Sequence, residues 1–295
     1  MRGRFGASVV VAAVAVATCS AGTSPPDLSR GGRIHVAAIQ LTEVPGGLAA
    51  NEANVATLVR EAAERGARYI VLPEYFPGQI VNEPGMTLEE VRAQAEPADG
   101  PLATGLLRLA RELDVFLAFP LAERRADGAV YNSTVYAGPR GIEGVYSKML
   151  LIPIPAAPDF DAGPQRPQRW NELAIYTQGK SVDAITWGGV RVGPLICADG
   201  GVPALYKRRL QQGVQLITHA SASAGVKKGE DNPMPDVAAR RFRRPVVFAN
   251  RWYPAKIYRG NSQICDADGN VLAQVGPHPN VIVDAVVELP PVATP

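Results

Sequence analysis

A layered α/β fold is what this 295-residue sequence predicts, on three observations. The chain opens with a strand–helix–strand pattern, short apolar runs recur between Gly- and Pro-marked turns, and segments with helical spacing of apolar residues lie among them. With 46% hydrophobic and 20% charged positions the chain can bury one substantial core. The glycines (29) and prolines (26) are scattered as turn punctuation rather than gathered into a linker. No repeat period marks a solenoid.

Taken in order, Ile34–Leu41 reads as a buried strand. Leu48–Glu64 reads as a helix with Val55, Leu58, Val59 and Ala62 on one face, closed by Gly66, and Arg68–Leu72 is the next strand. A helix over Leu102–Leu113 leads into a strand at Val115–Pro120. Val130–Ala137 and Gly141–Ser147 flank the turn Gly138-Pro139-Arg140, and Ser181–Trp187 and Val190–Cys197 flank Gly188-Gly189, the strongest hairpin signal in the chain. A helix at Pro203–Gln212 and a strand at Val214–His219 follow. Then come a helix over Met234–Arg244, a strand at Val246–Asn250, and a hairpin of Ser262–Asp266 with Val271–Gln274 around Asp268-Gly269. No domain boundary falls within residues 33–289.

The first residues read differently. Arg2 and Arg4 precede the uncharged run Val9–Ala17, followed by the small residues Thr18-Cys19-Ser20-Ala21-Gly22. That order describes a secretory leader, and the run is shorter than the roughly 20 apolar residues a bilayer span needs. Residues 1–18 are therefore expected to be a signal peptide and 19–32 a flexible tether. Val16-Ala17-Thr18-Cys19 resembles a lipobox, with Thr18 where Gly, Ala or Ser is usual. Two outcomes stay open: a cleaved, free protein, or a lipoprotein anchored at Cys19. Either way the protein is expected outside the cytoplasm.

Lys and Arg total 30 against 28 Asp and Glu, and removing Arg2 and Arg4 with the leader leaves 28 of each sign. Such balance carries no bias towards nucleic acid. The cluster Arg240, Arg241, Arg243, Arg244 reads as a solvated helix face. His35, His219 and His278 show no metal-ligand pattern and read as structural or surface residues, so no metal is expected. The three cysteines are Cys19, Cys197 and Cys265, and in an oxidising compartment a Cys197–Cys265 disulfide competes with a free, reactive Cys197.

Three segments share one design, an apolar strand ending in a reactive side chain and a turn: Tyr69-Ile-Val-Leu-Pro-Glu74, Gly144-Val-Tyr-Ser-Lys148 and Val192-Gly-Pro-Leu-Ile-Cys197. Ligands of open α/β sheets collect outside strand ends. Cys197 is followed by Ala198-Asp199-Gly200-Gly201 and then by Pro203 opening a helix. This strand–turn–helix arrangement exposes a nucleophile and aims backbone N–H groups at an oxyanion. The same local sequence also suits a cysteine packed at a strand end.

Together, Leu72-Pro73-Glu74, Tyr146-Ser147-Lys148 and Ile196-Cys197-Ala198-Asp199-Gly200 resemble, in order, the three signatures of the nitrilase (carbon–nitrogen hydrolase) superfamily. The cysteine motif is similar to the Cys-Asp-Asp-Gly form of aliphatic amidases. His35–Gln40 resembles the family's first strand, Tyr131-Asn132-Ser133 the turn before the lysine hairpin, Ala239–Asn250 the helix and strand after the cysteine, and Gly260–Gly269 the late hairpin. The resemblance implies a four-layer αββα sandwich and a Glu74–Lys148–Cys197 triad acting without cofactor. Glu74 would be the general base, Lys148 the charge that favours a thiolate, and Lys148 with the Ala198 N–H the oxyanion's partners. It also implies a small amide or nitrile substrate and pairing into a homodimer or larger assembly. Two departures stand out. Relatives usually carry a second glutamate several residues after the lysine, but Leu150–Asp161 contains none, leaving Asp159 or Asp161 as shorter stand-ins, with Asp199 as a further supporting carboxylate. And Val202-Pro203-Ala204 lacks the carboxylate that often opens the following helix. The expected chemistry is amide hydrolysis through a thioester on Cys197. Nitrilase, N-carbamoyl hydrolase and acyltransferase chemistry on the same triad, and an inactive amide-binding relative, remain as alternatives.

Overall fold

The computed structural model describes residues 27–80, 86–152, 172–223, 234–253 and 259–292. Two six-stranded mixed sheets form its centre. The first runs in the order β12-β1-β2-β3-β4-β5 and contains β1 (Gly32–Gln40), β2 (Tyr69–Val71), β3 (Phe116–Arg124), β4 (Val130–Gly138), β5 (Gly141–Ser147) and β12 (Val281–Leu289). The second runs β11-β10-β9-β8-β7-β6 and contains β6 (Ile185–Trp187), β7 (Val190–Ile196), β8 (Leu216–Ser221), β9 (Val246–Asn250), β10 (Gln263–Cys265) and β11 (Val271–Gln274). Helices α1 (Gly47–Glu64) and α3 (Pro101–Leu113) cover the first sheet, and α5 (Pro203–Gln211) and α6 (Pro235–Phe242) the second. The layers are helix, sheet, sheet, helix, as the αββα expectation required.

Strand alternation builds the layering, because successive side chains point to opposite faces. In β1, Ala37 and Ile39 join the core beneath α1 and α3, while Val36 and Ala38 join the core between the sheets with Val192, Leu216 and Val247. A third core under α5 and α6 holds Leu195, Tyr206, Phe242 and Phe248. Between the sheets, Trp187 meets Tyr69, Phe116 and Tyr136 edge-on at 5.3, 6.3 and 5.3 Å, and its indole N–H donates to the Ala137 carbonyl at 2.9 Å.

Parallel pairings set the polarity that matters for function. β1, β2 and β3 run parallel, as do β7, β8 and β9. Two antiparallel steps, β3 to β4 and β4 to β5, return β5 to the direction of β2. Glu74, Lys148 and Cys197 thus all leave carboxyl ends of like-directed strands within their sheets.

Several elements depart from the sequence expectations. Tyr131-Asn132-Ser133 lies inside β4 rather than in a turn. β12 was not foreseen, although it pairs with β1 over nine consecutive residues. The single turn α4 (Glu172–Ile175) and the short helix α2 (Leu88–Ala93) were also missed; α2 carries a capping box between Thr87 and Glu90. Among the described residues no helix is long and apolar enough to cross a membrane, and no group of His, Cys, Asp and Glu could hold a metal ion. The proposed leader and most of the tether lie outside the described residues.

Candidate active site

Glu74 stands three residues past β2, is 1% exposed, and has both carboxylate oxygens engaged. Oε1 accepts from Lys148 Nζ at 2.8 Å and from Asn132 Nδ2 at 2.8 Å, and Oε2 accepts from the Ala222 backbone N–H at 3.0 Å. Asn132 also accepts from the Lys148 backbone N–H at 2.8 Å through its own carbonyl. One residue of β4 therefore places both the lysine's main chain and the glutamate's side chain.

Lys148, 2% exposed, donates a second bond to Glu172 Oε1 at 2.6 Å. Glu172 is held by the Tyr75 hydroxyl on Oε1 and by the Ile152 N–H at 2.8 Å on Oε2. Sequence reasoning expected no second glutamate near the lysine; the structure overturns that. The partner is Glu172, 24 residues downstream on α4, beyond the window in which it was sought. Asp159 and Asp161, the suggested stand-ins, lie outside the described residues.

Cys197 begins a single 3-10 turn (Cys197–Gly201) between β7 and α5. Its φ of 46° is in the left-handed region, a costly conformation for a residue with a Cβ. It retains partial exposure, and both Cys197 and Cys265 are free thiols, so the disulfide alternative does not hold. Asp199, fully buried, ties this turn to the lysine segment. Its carboxylate accepts from the Tyr146 hydroxyl at 2.7 Å, the N–H groups of Leu150 and Met149 at 2.8 and 3.2 Å, and the Ile196 N–H at 3.2 Å. Its donors thus flank Lys148 on both sides and immediately precede Cys197. His219, expected to be only structural, places Nε2 2.9 Å from the Cys197 carbonyl oxygen.

A buried lysine between two carboxylates beside a thiol carries an excess of potential negative charge. Burial pushes the Glu74 carboxyl above its ordinary range; the Glu172 charge adds to this, while Lys148 and the bond from Asn132 oppose it. For Lys148, burial works against the charge, but Glu74, Cys197 and Glu172 outweigh it and hold the ammonium well above the usual lysine range. Burial first, then Glu74 and Glu172, push the Cys197 thiol up to about 12, against the smaller opposing pulls of Lys148 and Ser221. Lys148 pulls towards the thiolate, and burial above all, joined by Glu74 and Glu172, outweighs that pull. Burial also raises Asp199, a push its hydrogen bonds partly offset.

The sequence profile of the carbon-nitrogen hydrolases matches residues 35–291. The chain belongs to the carbon–nitrogen hydrolase family. A hydrolase of Mycobacterium tuberculosis is 30% identical over 254 residues, covering 80% of this chain and 83% of that protein. A deaminated glutathione amidase of Bos taurus is 30% identical over 258 residues, covering 83% and 74%. An (R)-stereoselective amidase of a Pseudomonas species is 28% identical over 217 residues, covering 70% and 68%. Among solved structures, a doubly substituted amidase from Nesterenkonia sp. AN1 in complex with acrylamide superposes with a TM-score of 0.68 at 21% identity, covering 88% of this chain and 92% of that one. In this carbon–nitrogen hydrolase chain, the sequence signatures named Glu74, Lys148 and Cys197 but did not reach Glu172, Tyr75 or His219. Tyr75 announces itself only in the fold, where its φ is 58°.

Proposed function

We propose that the protein is an exported amidase, hydrolysing a small amide through a thioester on Cys197 with Glu74 as general base and Lys148 as electrostatic partner. The observation that carries this reading is the Glu74–Lys148–Glu172 cluster, nearly excluded from water at the mouth of a strained cysteine turn. Buried charge of this kind is costly to fold around and earns its place through chemistry.

The steps follow from the groups present. Glu74 takes the Cys197 proton as Sγ attacks the carbonyl carbon, and the carbonyl π electrons move to oxygen. Lys148 Nζ and the Ala198 N–H stabilise that oxyanion. The intermediate collapses, the C–N bond breaks, and the leaving nitrogen takes the proton from Glu74. A water then gives a proton to Glu74 and attacks the thioester, releasing the carboxylic acid and returning the thiol. Burial pushes the Cys197 thiol up to about 12, so this mechanism needs the base at the first step. A Glu74 pKa raised above the ordinary range suits a base that must also return its proton. Glu172 holds Lys148 in place during the charge changes and removes the motive for an inactive binding protein.

Nitriles and N-carbamoyl compounds offer the same electrophilic carbon. The test is therefore an ammonia-release screen of the purified full chain, with Cys197→Ala alongside, across short amides, nitriles and N-carbamoyl compounds. Release from amides that is abolished by Cys197→Ala is the expected result, and a preference for another class would overturn the amidase assignment. Export, with residues 1–18 removed and lipid attached at Cys19, is proposed from the leader pattern and is tested by the mass of the mature protein's N-terminal peptide. Homodimerisation is proposed as well, with light scattering at micromolar concentration as its check.

A further inference from the structure

His219 lies on β8, directly beneath the turn that carries Cys197, and is 5% exposed. It packs edge-on against Phe248, its register partner on β9, with ring centroids 5.0 Å apart. Burial depresses the imidazole to about 4, so at neutral pH it is uncharged and carries one N–H. The Cys197 carbonyl oxygen can only accept, so the proton sits on Nε2 and points at that oxygen over 2.9 Å. No step of the proposed mechanism uses this bond.

Its consequence comes from peptide geometry. In a planar trans peptide the carbonyl and the following N–H point in opposite directions. The carbonyl fixed by His219 belongs to the same plane as the Ala198 N–H, the proposed oxyanion donor. Cys197 is held at a φ of 46°, which an unrestrained residue with a Cβ abandons readily. We infer that His219 is a positioning residue: by gripping the Cys197 carbonyl it locks the Cys197–Ala198 peptide plane and keeps the Ala198 N–H aimed at the oxyanion. This rests on the thiol-hydrolase reading for the oxyanion itself, and the imidazole acts through the Cys197–Ala198 peptide.

Two thiol reactions separate this role from general support of the fold. Butanal adds reversibly to Cys197: the S–C bond forms, the carbonyl electrons move to oxygen, and the thiol proton ends there, so the adduct holds its oxygen where the oxyanion would form and that oxygen accepts from the same Ala198 N–H. Iodoacetamide forms an S–C bond with loss of iodide and develops no oxyanion at the carbon attacked. The rate of Cys197 alkylation, read by mass spectrometry of its peptide, is measured with increasing butanal for the wild-type full chain, His219→Met, His219→Leu and His219→Gln. Met and Leu keep apolar bulk without a donor, and Gln restores an N–H of similar reach. In the donor-less variants the butanal concentration giving half protection should rise at least tenfold, while alkylation without butanal stays within about threefold of wild type. Gln should return protection to within about threefold. Equal protection in wild type and the donor-less variants, parallel loss of protection and alkylation, or no protection of the wild type would overturn the inference. Should Met fail to fold by circular dichroism, Leu and Gln give the same comparison. The hydrolase reading fails separately, on absence of ammonia release, and the aldehyde comparison needs no substrate.

Discussion

At Glu172 the chemistry of the site turns on which of three buried charges is removed. Lys148 divides its bonds between Glu74 and Glu172, at 2.8 and 2.6 Å, so the cluster holds one carboxylate more than it has cations. Glu172→Gln removes the surplus charge while keeping an acceptor for the lysine. Its melting temperature should stay within a few degrees of wild type, or rise. Turnover should fall on the order of 10²-fold, since a catalytic group displaced by about 1 Å loses that much; a variant as active as wild type would remove Glu172 from the site. The same surplus charge sets a pH dependence. A carboxyl whose folded pKa is raised stabilises most below its unfolded value, near 4.3 for glutamate, and that contribution is lost as pH rises through the folded value. Wild-type stability should therefore fall relative to Glu74→Gln as pH is raised from about 4 towards neutrality, a difference measurable by urea titration at several pH values. A gap that widens in favour of wild type over that range would reverse the sign assigned here. The thiol supplies its own check. With Cys197 pushed up to about 12, the wild type should show no thiolate absorbance beyond that of Cys197→Ala at pH 7.

At the scale of the element, Gly188-Gly189 shows how far local sequence reaches. Both residues have positive φ, 56° and 82°, as the tight turn between β6 and β7 demands. A Cβ on Gly188 would also lie 2.6 Å from the Phe116 ring, in the aromatic cluster between the sheets. Gly188→Ala therefore combines left-handed strain with overpacking and should cost about 2–4 kcal/mol in chemical unfolding; a loss below about 1 kcal/mol would show that the turn has room to relax. The hairpins, the opening β-α-β unit and the helices with apolar stripes were legible because their signals are local. β12 was not, because its partner is β1, joined to it only by a pairing across almost the whole chain. Glu172 was not, because it sits on a helix of one turn, too short to show a period. The three signature residues could be named because their motifs, taken together and in order, resemble those of the nitrilase superfamily; strand-end position alone marked them only as suspects. What joins them, the Asn132 and Asp199 side chains bridging separate strands, is a product of the fold.

Across the whole molecule, the polarity of the strands separates the N-terminal exit from the site. The chain enters β1 at Gly32, and just before it Gln215, at the start of β8, donates to the carbonyls of Leu28 and Pro290 at 2.7 and 2.8 Å. The entry is thus fastened at the amino ends of the strands, whereas Glu74, Lys148 and Cys197 stand at carboxyl ends. A nine-residue strand such as β1 spans about 30 Å. The few residues from Cys19 to Asp27 reach no further than about 30 Å even fully extended. If the chain is anchored at Cys19 as proposed, a tether whose full extension only matches the length of one strand favours an orientation in which the candidate site faces away from the lipid. Fluorophores placed by Arg30→Cys and by Leu150→Cys, each in a Cys197→Ala background, test this on lipidated protein bound to vesicles carrying a nitroxide-labelled lipid. Arg30 and Leu150 are both exposed, one beside the exit and the other two residues past Lys148. The dye at position 30 should be quenched and the dye at position 150 should not. Equal or stronger quenching at 150 would mean that the domain lies with its site towards the membrane, and that substrates reach it from the lipid side.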